Sequence, residues 1–244
     1  GTESGKDAES GTGATSTATA APAPGSPNGT HASPNARLVV KLTDDRTTRR
    51  VAYGKKATIR GTLADESGRP VAGATLTVTS RVRRTGAKPQ RKAPVTTNAR
   101  GEFTLTVPKG PSRDLTFGYR AFTAATDLTA TKTVTVLVAS KLTLKATPRR
   151  LRNRQRVRFS GTVQGKPTAK HGPLVDLQVL VDGTWRSFLK GAVRADRNGR
   201  FTASYRFLRT TRPATYTFRA VARQDSAYPY VANASPRITV RVRP

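Results

Sequence analysis

One strand–turn–strand phrase occurs twice in this chain, and few folds accommodate it. The first copy runs Thr96-Thr97-Asn98-Ala99-Arg100-Gly101-Glu102-Phe103-Thr104-Leu105. The second runs Arg194-Ala195-Asp196-Arg197-Asn198-Gly199-Arg200-Phe201-Thr202-Ala203. In each, an Asn or Asp is followed after two residues by Gly, then a charged residue, a Phe and polar–apolar alternation. Glycine tolerates positive φ and an Asn or Asp side chain bonds its own backbone, so both copies predict tight turns between antiparallel strands.

The alternation extends on both sides of each turn. In the first half it places Leu38, Val40 and Leu42, then Ala57, Ile59, Gly61 and Leu63, then Ala74, Leu76 and Val78 on one face. Phe103, Leu105 and Val107 follow, then Phe117, Tyr119 and Ala121, then Val134, Val136 and Val138. The second half repeats the pattern, from Leu142 and Leu144 through Val157, Phe159, Gly161 and Val163 to Ile238, Val240 and Val242. Asp182-Gly183 between two such runs reads as a two-residue hairpin turn. Period-two alternation marks half-buried antiparallel strands, and strands at roughly 8–12-residue spacing build sandwiches or barrels. Gly61 falls on Gly161, a spacing of 100 residues and the size of one immunoglobulin-like unit.

The predicted fold class is therefore all-β: two tandem Ig-like or transthyretin-like antiparallel β-sandwiches preceded by a disordered linker. Residues 1–36 are Gly, Ser, Thr, Ala and Pro with hardly an aliphatic side chain. Such a stretch buries too little apolar area to offset its ordering entropy. The sandwiches are expected at 37–139 and 140–244, with Ala139, Ser140 and Lys141 as the whole connection, which makes for a stiff pair.

Composition narrows the chemistry. The chain has 244 residues and neither Cys nor Met. Absence of Cys removes disulfides, thiolate metal sites and thiol nucleophiles. Absence of Met implies a processed chain or part of a longer one. There is no apolar run of membrane-spanning length and no signal-peptide core. The formal charge is +30, which favours polyanionic partners.

Several phrases resemble known modules. Gly68-Arg69-Pro70-Val71-Ala72-Gly73-Ala74-Thr75-Leu76-Thr77-Val78, followed by Gly101-Glu102-Phe103-Thr104-Leu105-Thr106-Val107-Pro108, resembles the carboxypeptidase regulatory-like (transthyretin-like) module. In the second half Phe159-Ser160-Gly161, Gly183-Thr184-Trp185, Tyr205-Arg206-Phe207 and Tyr216-Thr217-Phe218-Arg219-Ala220 resemble a bacterial Ig-like repeat. With Pro27-Asn28-Gly29-Thr30 ahead of them, residues 27–244 are similar to the C-terminal part of secreted or cell-surface actinobacterial proteins. The resemblance implies an extracellular or cell-surface accessory module without catalytic residues. In a bacterial setting the glycosylation patterns Asn28-Gly29-Thr30 and Asn233-Ala234-Ser235 are coincidental.

Individual residues support little chemistry. His31 lies in the linker and His171 in a loop, too scattered for a metal centre or a Ser–His–Asp arrangement. Asp44-Asp45 and Asp65-Glu66 carry oxygen ligands suited to calcium, but flanking Arg46 and Arg69 make them read as solvated turn carboxylates. Trp185, the only Trp, reads as packed on the sandwich rather than as a stacking platform. Tyr216 sits where Ig folds place a tyrosine corner. No catalytic residue, cofactor or metal is expected.

Two basic runs remain. Arg81, Arg83, Arg84, Lys88, Arg91 and Lys92 fall in a predicted long connection. Arg149, Arg150, Arg152, Arg154, Arg156 and Arg158 form the candidate polyanion contact, with the last three expected as a row on one strand face. Arg60, Arg120, Arg206 and Arg219 also point outward from strands, so a general basic coat is expected rather than a dedicated groove. The sequence thus reads as a non-catalytic spacer or adhesion module. The alternatives are a polyanion-binding module for acidic cell-wall polymer or nucleic acid, and an accessory part of a secreted hydrolase whose catalytic domain lies upstream.

Overall fold

Both copies of the repeated phrase form the turns they predict, and by the same bonds. Asn98 Oδ1 accepts the backbone N–H groups of Arg100 and Glu102 at 2.9 Å each. Asp196 Oδ1 accepts those of Asn198 and Arg200 at 2.8 Å each. Gly101 and Gly199 follow with φ of 69° and 76°. A computed structural model describes residues 25–166 and 172–244 around these turns. The expected linker at 1–24 and the loop residue His171 lie outside the described residues.

The first sandwich comprises β1 (Arg37–Leu42), β2 (Thr48–Val51), β3 (Ala57–Ala64), β4 (Thr75–Val82), β5 (Gln90–Thr96), β6 (Glu102–Val107), β7 (Arg113–Tyr119) and β8 (Ala130–Val138). They form a three-stranded sheet, β1-β3-β6, and a five-stranded sheet, β2-β8-β7-β4-β5. The second comprises β9 (Lys141–Thr147), β10 (Arg150–Arg152), β11 (Arg156–Gln164), β12 (Leu174–Val181), β13 (Thr184–Ser187), β14 (Val193–Arg194), β15 (Arg200–Arg206), β16 (Ala214–Ala222) and β17 (Ile238–Arg243). Its sheets are β9-β11-β15 and β10-β17-β16-β12-β13, with β14 also on β12. The two strand orders are the same once β14 is set aside. In both, a short strand that sequence alternation does not reveal (β2, β10) pairs parallel to the last strand.

The alternating apolar residues meet between the sheets. Val40, Ile59, Leu76, Val78, Phe117 and Val134 are buried in the first sandwich, and Val157, Phe159, Val175, Leu177, Phe218 and Val240 in the second. Each such side chain stabilises by roughly 1.5–3 kcal/mol on burial. Gly61 and Gly161 serve the same purpose in both halves. Gly61 pairs with Phe103 across β3 and β6, Gly161 with Phe201 across β11 and β15, and each Phe ring lies where a Cβ on its glycine would stand. Close packing, not a bulge, explains glycine inside these strands.

Two expectations need correction. The long connection expected over Arg81–Lys92 is shorter: Arg81 lies in β4, and Arg91 and Lys92 lie in the edge strand β5, paired with Thr79 and Val78 of β4. Residues 25–36, expected as part of the linker, are pinned to the first sandwich. Asn28 Nδ2 donates to the carbonyls of Thr75 and Arg120 at 2.9 and 3.0 Å, and Oδ1 accepts Thr75 N–H at 2.8 Å. Its own backbone bonds Ala121 and the buried Tyr119 hydroxyl. Low hydrophobicity suggested a linker, but one buried amide with every bond made holds this segment without a large apolar face.

The joint between sandwiches is built from the β16–β17 loop. Val231 N–H donates to Val138 carbonyl at 2.9 Å, and Ser140 N–H to Val231 carbonyl at 3.0 Å. Ser112 and Thr85 of the first sandwich donate N–H to the carbonyls of Pro229 and Ser226 at 2.8 and 2.9 Å. The Arg50 guanidinium reaches Ala232 carbonyl at 2.8 Å. Tyr53 of the first sandwich packs on Tyr230 with ring centroids 5.8 Å apart. Tyr228 and Tyr230 are buried and donate to the carbonyls of Gln164 and Lys166. Burial, reinforced by neighbouring tyrosines, drives the Tyr228 hydroxyl far above its ordinary pKa and pushes Tyr230 up to about 12.

Candidate functional site

The six candidate arginines do not form one row. β10 and β11 belong to opposite sheets, so the run folds over the end of the second sandwich that faces away from the joint. Arg150 and Arg152 point outward from the six-stranded sheet, with Leu151 between them buried. Arg156 and Arg158 point outward from the three-stranded sheet, with Val157 between them buried. Arg154, expected in line with those two, sits in the turn with φ of 68°.

The fold brings further arginines to the same end. In the parallel β10–β17 ladder Arg150 stands opposite Arg241 and Arg152 opposite Arg243. On the other sheet Arg156 stands opposite Arg206. Arg209 and Arg212 lie exposed in the β15–β16 loop. Like charges directly opposite in a ladder repel. Among the described residues, none of these arginines makes an ion pair with a carboxylate. The sequence signal for the added pairs was present, in Thr239-Val240-Arg241-Val242-Arg243. It gained meaning only when the ladder set those arginines beside Arg150 and Arg152.

A single residue, through its backbone and its side chain, ties this end together. Asn153 N–H donates to Arg243 carbonyl at 2.6 Å, Asn153 Oδ1 accepts Thr210 N–H at 3.3 Å, and Asn153 Nδ2 reaches Leu208 carbonyl at 3.5 Å. Arg154 N–H donates to Phe207 carbonyl at 2.6 Å. The β10–β11 turn, the β15–β16 loop and the end of β17 thereby share one anchor. At its rim Leu208 is 64% exposed, the most exposed of the large apolar side chains described.

The remaining candidates serve structure. Asp65 is not a solvated carboxylate: it is buried, accepts the N–H groups of Ser67 and Arg69 at 2.9 Å, and pairs with Arg69 Nε at 2.8 Å. Burial works to raise its pKa, but the Arg69 bonds and charge outweigh it and hold the carboxyl below its usual value. His31 Nε2 stands 3.3 Å from Asp65 Oδ2 without a hydrogen bond between them. Glu66 accepts from Asn35 at 3.0 Å. Asp45 pairs loosely with Lys41 at 3.6 Å, and Asp44 is exposed. Trp185 is half-buried with the Arg219 guanidinium 4.2 Å from its ring centre and Arg237 5.4 Å away. Burial, with Arg237 adding to it, lowers the Arg219 pKa against the pull of Asp176. Tyr216 bonds the Thr210 side chain at 3.2 Å, closing a corner six residues upstream. Asn28 is buried, and the exposed Asn233 donates to Ser140 carbonyl at the joint. A cleft of about 750 Å³ beside the joint holds Arg81, Arg83 and Arg84 of the other basic run, and there Arg83 pairs with Asp114 at 2.8 Å. Among the described residues no three His, Cys, Asp or Glu side chains converge on a metal position.

Comparison with known proteins gives a match over part of the chain. Residues 58–147 match the carboxypeptidase regulatory-like domain family. The matched stretch opens in β3 and closes at the end of β9, and it contains the first copy of the turn phrase. No curated protein matches the chain. Among solved structures, the Yersinia pseudotuberculosis adhesin InvE is similar at 19% identity over 84% of this chain, with a TM-score of 0.39. A tetra-tandem repeat from the extending region of a large adhesion protein is similar at 17% identity over 83%, with a TM-score of 0.34. The Escherichia coli adhesin FdeC is similar at 14% identity over 86%, with a TM-score of 0.34. The alignments take in 58%, 48% and 64% of those chains, so this chain spans less than two thirds of each.

Proposed function

We propose that this protein is a non-catalytic structural module, a spacer or adhesion element that works outside the cell and holds its two outer ends at a fixed separation. The joint carries this reading. Only Ala139 and Ser140 separate β8 from β9, and backbone hydrogen bonds at Ser112, Ser140 and Val231 join the β16–β17 loop to the first sandwich and the link. Backbone bonds in a buried setting fix orientation more firmly than side-chain contacts across a long linker, because few rotamers need to be ordered. The regulatory-like match supports a module without chemistry of its own. The resemblance over residues 27–244 supports the extracellular placement.

The absence of native Cys allows paired spin labels at Thr104 and Thr202, exposed positions on equivalent strands β6 and β15. At neutral pH one narrow distance distribution is expected. The tyrosines set where it broadens. An unfolded or released Tyr ionises near pH 10, whereas Tyr230 in place holds its proton to about 12. Below pH 10 both states are neutral and the joint keeps its full stability. Between pH 10 and 12 only the open state ionises, so that contribution is lost as pH rises. A broad distribution already at neutral pH would rule out the spacer reading.

A further inference from the structure

The outer end of the second sandwich combines three features that no structural requirement of the fold explains. Arginines stand opposite arginines in two ladders, Arg150 and Arg152 against Arg241 and Arg243, and Arg156 against Arg206. Such pairs repel, and no carboxylate within ion-pair distance offsets them among the described residues. The charge also wraps both outer faces and the turn between them, because β10 and β11 belong to opposite sheets. Leu208 is exposed at the same end, in the loop that follows Arg206, its backbone carbonyl held by Asn153.

We propose that this end docks onto an anionic lipid surface, with the arginines taking lipid phosphates and Leu208 entering the headgroup layer. The inference does not depend on the spacer reading. Guanidinium groups bind phosphate oxygens through paired N–H donors, and two guanidinium groups side by side are relieved of repulsion when a phosphate lies between them. A ring of charge around an end is complementary to a plane approached end-on. A linear polymer is matched by a row along one face, and the run does not make one: Arg154 has turned out of line and Arg150 and Arg156 face opposite ways. Nucleic acid bases need open aromatic faces, and Trp185 already has Arg219 over its ring. An exposed leucine adds nothing to phosphate binding in solution. It strengthens attachment only where an apolar layer lies beneath the phosphates.

The test is co-sedimentation of the whole chain with phosphatidylcholine vesicles, with and without phosphatidylglycerol, at about 150 mM salt, where exposed charges beyond about 8 Å are screened. Binding is expected to the phosphatidylglycerol vesicles alone. Each arginine near an anionic surface strengthens binding about fivefold. Changing Arg150, Arg152 and Arg241 to Ser is therefore expected to weaken binding about a hundredfold. The same charge removed at Arg46, Arg60 and Arg91 of the first sandwich is expected to leave most of it. Leu208→Ser is expected to weaken vesicle binding at least about threefold, while leaving binding of soluble poly(glycerol phosphate) and single-stranded DNA unchanged. All these substitutions are at exposed positions, and Trp185 fluorescence verifies the fold of the second sandwich. Equal losses from the two triple variants would show an undirected coat and overturn the proposal. So would tighter binding of either soluble polymer than of vesicles, indifference of vesicle binding to Leu208→Ser, or no vesicle binding at all.

Discussion

The two sandwiches share a strand order and differ in how each closes the end that faces away from the joint. The first is sealed by its own N-terminal segment, where Asn28 bonds Thr75, Arg120 and Ala121 and accepts from Tyr119. Among the described residues four of its cations are paired: Lys41 with Asp45, Arg69 with Asp65, Arg83 with Asp114 and Arg100 with Glu102. At Glu102 the Asn98 side-chain bond, then the Arg100 charge, lower the carboxyl pKa. In the second, the one ion pair among the described residues is Arg223–Asp176 at 3.7 Å, and this sandwich closes on Asn153 with arginines around it that pair with no described carboxylate. Its interior is correspondingly heavier in aromatics, with Phe159, Phe188, Phe207 and Phe218 in tilted or edge contact with their neighbours. The lesson is that one topology tolerates two kinds of end. A fully bonded buried amide is structural closure. An unmatched like-charged end works against stability, and proteins keep such features where something outside the fold makes use of them.

The largest expected effect tests the sealed end. Asn28→Ala leaves Thr75 N–H and the carbonyls of Thr75 and Arg120 without their partner. Unsatisfied buried groups cost about 1–3 kcal/mol each, so a loss of roughly 3 kcal/mol is expected in the first sandwich. Urea unfolding followed by circular dichroism should show it, while Trp185 fluorescence, which reports the second sandwich alone, keeps its midpoint. If both probes fall together, the joint makes the sandwiches one cooperative unit and the contrast between their ends is energetic rather than local.

A smaller effect tests what the two share. A valine at Gly101 or Gly199 would hold φ near 70° and press its Cβ on the carbonyl of Leu63 or Val163. Each substitution should cost about 1–3 kcal/mol in its own sandwich. Only Gly199→Val should move the Trp185 midpoint. Unequal losses would show that the turns, alike in hydrogen bonding, are not alike in strain.

The smallest effect tests the open end. Arg241→Thr removes one like-charged pair and should raise stability by about 0.2–1 kcal/mol at low salt, fading as salt screens the repulsion. Arg60→Thr, where the cross-strand neighbours are Lys41 and Thr104 and Lys41 is drawn to Asp45, should change little. A destabilised Arg241→Thr protein would mean that the arginine stems pack on the sheet more than their charges repel.

The sequence by itself determined the elements with a local cause. Alternation named the inward faces, and Asn98-to-Gly101 and Asp196-to-Gly199 named the turns, because side-chain period and turn chemistry act within a few residues. The equivalence of the glycines at 61 and 161 was legible, though not that a Phe ring would cover each. The tertiary structure decided everything that depends on distant partners. Asn28 looked like linker because its bonding partners lie 47 and 92 residues away. Arg91 and Lys92 looked like loop because an exposed edge strand has no apolar face to reveal it. Arg154 looked in line with Arg156 and Arg158 because alternation alone does not show that the chain turns there, with φ of 68°. Arg150 found Arg241, and Asn153 found Thr210, only when β17 and the β15–β16 loop closed over the same end. Periodicity is a property of neighbours along the chain. A site is a property of neighbours in space, and in a β-sandwich those are mostly residues from strands far apart in sequence.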